Sequence, residues 1–149
     1  MSDPKYAPLL LKNHLCFPLY ACSKEVIRLY RPYLEPFDLT YTQYLAMVVI
    51  WEEKKINVKT LGQHLYLDSG TLTPVLKCLE SKGYITRRRC RNDERVLYAE
   101  LTEEGERLRD RMLHVPIELA QNVKLSQEEA HTLYRLLYKA RHGLHETES

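Results

Sequence analysis

The segment LYLDSGTLTPVLKCLESKGYITRRRCRNDERVLYAELTEEG, residues 65–105, decides the fold class of this chain. Its first half predicts a helix, with Leu72, Leu76 and Leu79 on one face and Gly83 at the turn that follows. If that helix is capped near Thr71, Pro74 removes no helical hydrogen bond. The second half predicts two strands around a turn at 92–93, because β-branched and aromatic residues flank turn-forming ones.

The chain before this segment predicts three further helices. Apolar residues spaced by three and four predict one long helix over 10–34 that starts or bends near Pro18, which lacks a backbone N–H. Thr40 and Gln43 match a capping box that opens a second, apolar helix. Asn57 is suited to cap a short third helix. A short helix and a turn before the helix of 65–105, with a two-stranded ribbon after it, predict a winged helix-turn-helix.

After the ribbon the sequence predicts two more helices. Thr102 is suited to cap the first, whose apolar stripe continues to Leu119 with a bend at Pro116. Ser126 and Glu129 match a capping box that opens the last helix. The predicted fold is therefore mainly α with a small β wing, in a single domain spanning 1–149. Its winged helix-turn-helix region covers 40–102.

Composition restricts the class of protein. In 149 residues, 44% hydrophobic and 28% charged, neither wholesale disorder nor a membrane protein is favoured. The start of the chain lacks the pattern of a signal peptide, so a cytoplasmic location is predicted. The four cysteines should then stay reduced, and they contain no C-x2-C pair for zinc. We therefore predict no metal and no cofactor.

Positive charge is concentrated in the predicted ribbon. The net charge is only +2, yet residues 84–98 hold five arginines and two acidic residues. A helix suits the major groove of DNA, and an arginine held by a neighbouring carboxylate suits a narrow minor groove. We therefore predict contacts with double-stranded DNA from Ser69, Thr71, Thr73 and Lys77 on the helix, and from Arg87, Arg88, Arg89 and Arg95 on the wing, with Asp93 orienting Arg95.

Residues 65–105 also resemble the core of the MarR family of regulators, including a D-x-R wing signature at Asp93 and Arg95. The stretches NHLCFPLYACS (13–23) and LTYTQYLAMVVIWE (39–52) are similar to the branch of organic hydroperoxide resistance regulators, OhrR. This resemblance implies a homodimeric repressor, paired through helices at 10–36 and 103–146, that binds a pseudo-palindromic operator. The sequence independently allows a dimer, because the terminal helices carry more apolar surface than one small core could cover.

The resemblance also assigns a redox site. It implies that Cys16 senses organic hydroperoxides, and that Tyr30 and Tyr41 hydrogen-bond its thiolate across the dimer. Hydroxyl donors favour a thiolate, which is the reactive form of cysteine. Cys22 lies six residues further along the same helix, about 9 Å away, too far for a disulfide with Cys16. No cysteine follows Cys90, so the resemblance implies the one-cysteine type, in which a low-molecular-weight thiol or another protein captures the oxidised form.

Two alternatives remain open at this point. A regulator of the same fold could respond to a phenolic or drug-like ligand in the dimer cleft, with Cys16 a packing residue. A thiol peroxidase is a third reading, but no adjacent general base and no C-x-x-C pair are visible, so we predict no enzyme. The other cysteines are interpreted as structural: Cys22 in the core, Cys78 on a helix beside Leu79, and Cys90 in the wing. For Cys90 a second interpretation stays open, modulation of DNA binding by a thiol that lies among arginines.

Overall fold

A computed structural model describes residues 3–146 and shows a mainly helical chain with one small antiparallel sheet. The chain divides into two compact units between Val115 and Pro116. The first unit contains α1 (Cys16–Leu34), α2 (Tyr41–Glu53), α3 (Val58–Leu65), α4 (Ser69–Ser81) and α5 (Glu103–Met112), with strands β1 (Lys55–Asn57), β2 (Ile85–Arg89) and β3 (Leu97–Leu101). Helix α6 (Val115–Val123) begins at the boundary, and α7 (Gln127–Glu146) belongs to the second unit.

The first helix is shorter than the prediction of 10–34. Two short 3-10 helices, Pro4–Leu9 and Leu11–Asn13, precede α1, which begins at Cys16. Pro18 is the third residue of α1, where a helical N–H has no partner within the helix, so the proline costs no hydrogen bond. The option that the helix starts near Pro18 is thereby confirmed, and the continuous helix over 10–15 is wrong.

Side-chain caps fix the starts of most other helices, as the sequence predicts. In the capping box of α2, Gln43 N donates to Thr40 Oγ1 at 3.2 Å and Thr40 N donates to Gln43 Oε1 at 3.0 Å. The corresponding box of α7 is also present, with bonds of 3.1 and 2.8 Å between Ser126 and Glu129. Side chains also cap α3 and α5, at Asn57 and Thr102.

The start of α4 differs from the prediction. Asp68, in an extended conformation, is the cap, and its Oδ1 accepts the backbone N–H of Thr71 at 2.7 Å. A carboxylate three residues before Thr71 therefore takes the capping role expected of the Thr71 hydroxyl. Pro74 becomes the sixth residue of α4, so it does remove one helical hydrogen bond, the bond to the carbonyl of Gly70.

The sheet holds a strand that the sequence analysis missed. Its order is β1-β3-β2, so β3 is central and β2 is an edge strand. Ala99 of β3 lies opposite Ile56 of β1 and Arg87 of β2, and Ala99 and Ile56 are both buried. The β1 strand is only three residues long and gives no period to detect. The core of the first unit includes Met47, Ile50, Leu61, Leu72, Leu76, Leu79, Ile85 and Ala99.

The predicted helix bent at Pro116 is instead two helices. A turn at Leu113 and His114 separates α5 from α6, and Pro116 lies in the first turn of α6. A proline is tolerated there for the same reason as Pro18 in α1. Within residues 3–146, no helix has the length and hydropathy that crossing a membrane requires.

Candidate nucleic-acid interface and cysteine site

Helix α4 presents a polar face beside its buried one. Leu72, Leu76 and Leu79 anchor the helix in the core, while Ser69, Thr71, Thr73 and Lys77 are exposed. The hydroxyl of Thr73 donates to the carbonyl of Ser69 at 2.7 Å, so it remains available as an acceptor. This face combines one cationic and three hydroxyl groups, which are suited to phosphates and base edges.

At the tip of the wing, Asp93 holds Arg95 as the sequence predicts. The backbone N and Nε of Arg95 each donate to Asp93 Oδ1 at 3.1 Å, and Nη2 lies 3.4 Å from Oδ2. These hydrogen bonds lower the pKa of the Asp93 carboxyl. The Arg95 side chain is nevertheless 91% exposed. The ion pair therefore restricts the guanidinium without removing it from solvent.

The other wing arginines have different surroundings. Arg88 is exposed and its Nε lies 3.8 Å from a carboxylate oxygen of Glu100, while Arg89 Nη1 donates to the carbonyl of Glu94 at 2.8 Å. Arg87 is only 21% exposed and its guanidinium contacts Glu80 of α4. The arginines predicted to contact DNA are therefore not equivalent. Arg88, Arg89 and Arg95 are exposed, and Arg87 is not.

Three tyrosines form a cluster between α1 and α2. The ring of Tyr30 lies 4.7 Å from that of Tyr41 and 5.3 Å from that of Tyr44. Burial, with smaller contributions from Tyr44 and Tyr41, raises the pKa of Tyr30 to about 12. Burial likewise raises the pKa of Tyr41. Both phenols are therefore protonated at neutral pH and can donate a hydrogen bond.

Cys16 is exposed at the first position of α1 and lies far from these tyrosines in its own chain. Tyr30 follows fourteen residues later on the same helix, which corresponds to about 21 Å at the helical rise per residue. The structure thus brings Tyr30 and Tyr41 together, with Tyr44, which the sequence analysis did not select. A contact of Cys16 with Tyr30 requires a second subunit.

The remaining cysteines partly follow the prediction. Cys78 in α4 and Cys90 at the wing are half-buried. Cys22 is exposed, so its predicted core position is wrong. The cause is that the apolar stripe of α1 is itself exposed, including Leu19, Val26 and Leu29. Helix α7 likewise exposes its apolar stripe, at Leu133, Leu136, Leu137 and Leu144.

A helix-turn-helix followed by a basic two-stranded wing defines the winged helix-turn-helix class of DNA-binding folds. Residues 28–112 match the family model described as "Transcriptional regulator SarA/Rot". Over 144 residues the chain is 42% identical to the "Organic hydroperoxide resistance transcriptional regulator" of Bacillus subtilis (strain 168), covering 97% of this chain and 98% of that protein. The chain belongs to the organic hydroperoxide resistance branch of the MarR-type transcriptional regulators, as the sequence predicts.

Solved structures are similar over the same extent. The structure of reduced AbfR bound to DNA covers 94% of this chain and 99% of its own, with a TM-score of 0.78 and 31% identity. A mutant MarR from E. coli complexed with operator DNA covers 93% and 99%, with a TM-score of 0.79 and 29% identity. Both similarities span nearly the whole chain and confirm the winged helix-turn-helix fold.

Proposed function

We propose that this chain is a homodimeric DNA-binding repressor that releases its operator when an organic hydroperoxide oxidises Cys16. The observation that carries the proposal is the exposed Cys16 thiol at the start of α1, in a helix that also supplies Tyr30 to a cluster of protonated phenols. The similarity to a regulator named for organic hydroperoxide resistance supports the choice of inducer.

DNA binding is assigned to α4 and the wing. Helix α4 lies in the major groove, where Ser69, Thr71, Thr73 and Lys77 meet phosphates and base edges. Arg95, oriented by Asp93, enters the minor groove, and Arg88 and Arg89 contact phosphates. Reduced AbfR, a neighbour of similar fold, is described as bound to DNA, and so is overoxidised AbfR, so these neighbours support DNA binding without singling out one redox state.

The dimer is assigned to the helices at 10–36 and 103–146. The exposed apolar stripes of α1 and α7 supply the surface, because large exposed apolar patches are uncommon on proteins that act alone. In the dimer, Cys16 of one protomer meets Tyr30 and Tyr41 of the partner subunit. Their phenolic O–H groups donate hydrogen bonds to the sulfur and favour its thiolate form, which is the reactive one.

The oxidation step is a two-electron transfer at sulfur. The Cys16 thiolate attacks the hydroperoxide, an S–O bond forms, the O–O bond breaks, and the alcohol leaves after taking up a proton. The sulfenic acid then condenses with a low-molecular-weight thiol, forming a mixed disulfide and water. The added bulk at α1 changes the spacing of the two α4 helices, and DNA is released. The protein is a cytoplasmic sensor that is consumed stoichiometrically, and it is not a peroxidase.

The test is fluorescence anisotropy of a labelled duplex from the region upstream of the gene. Wild type and Cys16→Ser are compared in the reduced state, and again after one equivalent of cumene hydroperoxide with a small thiol. We expect wild type to release the duplex and Cys16→Ser to retain it, and Cys22→Ser, a matched exposed cysteine on the same helix, to behave as wild type. Retention by wild type would instead favour a ligand-controlled regulator.

A further inference from the structure

The contact between α4 and β2 joins the two elements to which DNA binding is assigned. Glu80, in the last turns of α4, accepts three hydrogen bonds from Arg87 of β2. The backbone N of Arg87 donates to Oε2 at 2.8 Å, and its Nε and Nη2 donate to Oε1 at 3.2 and 3.1 Å. Both oxygens of the Glu80 carboxylate are therefore used by one residue of the wing.

The position of Arg87 in the sheet explains why its backbone N–H needs this partner. Strand β2 is at the edge of the sheet, so the N–H groups on its outer side have no neighbouring strand. Glu80 occupies the place of that missing neighbour. The same hydrogen bonds, the backbone bond first, lower the pKa of the Glu80 carboxyl, so Glu80 is ionised at neutral pH.

Exposure separates Arg87 from its neighbours on the wing. Its side chain is 21% exposed, against 72% for Arg88 and 91% for Arg95. A guanidinium that already donates twice to a carboxylate has less to offer a phosphate than an exposed one. Arg87 is therefore poorly suited to the phosphate contact that the sequence predicts for it.

We infer that Glu80 and Arg87 are positioning residues that fix the wing to α4, so that helix and wing approach DNA with a set spacing. The inference rests on the proposed DNA-binding function and assigns different roles to the wing arginines. Arg87 acts through Glu80, whereas Arg88 and Arg95 act on DNA directly.

The direction in which Glu80→Gln changes the affinity for DNA distinguishes a positioning role of Glu80 from a purely electrostatic one. Glu80→Gln removes a negative charge near DNA, so a purely electrostatic account expects binding to strengthen or stay the same. A positioning role expects binding to weaken, by about fivefold, because the wing is held less firmly. For the same reason, Arg95→Ala should cost a smaller factor in the Glu80→Gln background than in wild type.

The salt dependence gives a second, independent readout. Each phosphate contact contributes about one to the slope of log affinity against log salt concentration. We expect Arg87→Gln to weaken binding with the wild-type slope, and the matched control Arg88→Gln to lower the slope by about one. The double variant Glu80→Gln/Arg87→Gln should bind no more weakly than Arg87→Gln alone.

The probe is a labelled duplex selected from a randomised pool by the reduced wild-type protein, and thermal unfolding verifies that each variant is folded. Unchanged or stronger binding by Glu80→Gln, or a slope lowered by about one in Arg87→Gln, would overturn the inference. Failure of wild type to select any duplex would instead contradict the proposed DNA-binding function. The two failures are therefore distinguishable.

Discussion

The indole N–H of Trp51 in α2 donates a buried hydrogen bond of 2.8 Å to the carbonyl of Gly105 in α5. Gly105 also lies against the wing, because a Cβ placed on it would clash with the carbonyl oxygen of Tyr84 and would be 2.6 Å from Leu101 Cδ1. The first turn of α5 is thereby held between α2 and the base of the wing. Thr102 reinforces this contact through a 2.6 Å hydrogen bond to the carbonyl of Gly83.

This close approach predicts that Gly105→Ala is destabilising. The added methyl group meets backbone, which cannot rotate away, so we expect a loss of about 1–3 kcal/mol in the free energy of unfolding. The matched control is Gly143→Ala in α7, where nothing lies within 4 Å of the added Cβ. There we expect a gain of up to about 1 kcal/mol from helix propensity. Reversible denaturant unfolding measures both; equal effects would contradict the packing at Gly105.

Arg95 at the wing tip is expected to be the wing residue on which DNA binding depends most. Its exposed guanidinium is restricted by Asp93, so it enters the groove with little further loss of freedom. We expect Arg95→Ala to weaken operator binding by about 1–3 kcal/mol, and Asp93→Asn to weaken it by less. Anisotropy titrations of reduced protein test this prediction, and wild-type affinity in Arg95→Ala would remove the minor-groove assignment.

The tyrosine cluster predicts that Tyr30 loses its proton at a higher pH than an ordinary tyrosine does. Because the pKa of Tyr30 is raised to about 12, the folded state holds this proton more tightly than the unfolded chain does. Tyr30 therefore contributes stability below a pH of about 10, the ordinary tyrosine pKa, and loses it as the pH rises toward 12. The ultraviolet absorbance of tyrosinate follows the titration. Tyr30→Phe should remove a component from the high end of the curve, and an unchanged high end would contradict the burial of Tyr30.

The exposed apolar stripe of α7 is predicted to lie in the dimer interface. A charge placed in an apolar interface is costly to bury, so Leu137→Glu should shift the protein from dimer to monomer in analytical ultracentrifugation. Lys139 lies about 200° further around the same helix, on its polar side, and Lys139→Glu serves as the matched control. We expect it to sediment as wild type. A dimeric Leu137→Glu would exclude this face of α7 from the interface.

Local chemistry explains why much of the fold could be predicted from the sequence. Caps at Thr40, Asn57 and Thr102 depend on side chains within three residues of the groups they satisfy. Where two capping residues compete, as Asp68 and Thr71 do, sequence alone did not choose correctly. The β1 strand exists only because it pairs with β3, more than forty residues later, and no local pattern reports that pairing.

In the candidate site, too, local interactions can be predicted from the sequence and long-range ones cannot. The contact between Asp93 and Arg95 spans two residues and is predictable. The role of Glu80 is not, because it depends on how β2 returns beside α4. A core position for Cys22 follows only if the apolar stripe of α1 is covered within one chain. In this chain the stripe of α1 is exposed, and its predicted cover is a second subunit.

The central claim, that Cys16 alone is the switch, is tested most directly with a variant that retains only this cysteine. Cys22→Ser/Cys78→Ser/Cys90→Ser is bound to the labelled duplex and titrated with cumene hydroperoxide and a small thiol, while intact mass is followed in the same samples. We predict that DNA is released in proportion to one mixed disulfide per chain. Modification of Cys16 without release of DNA, or release of DNA from Cys16→Ser under the same titration, would contradict the account.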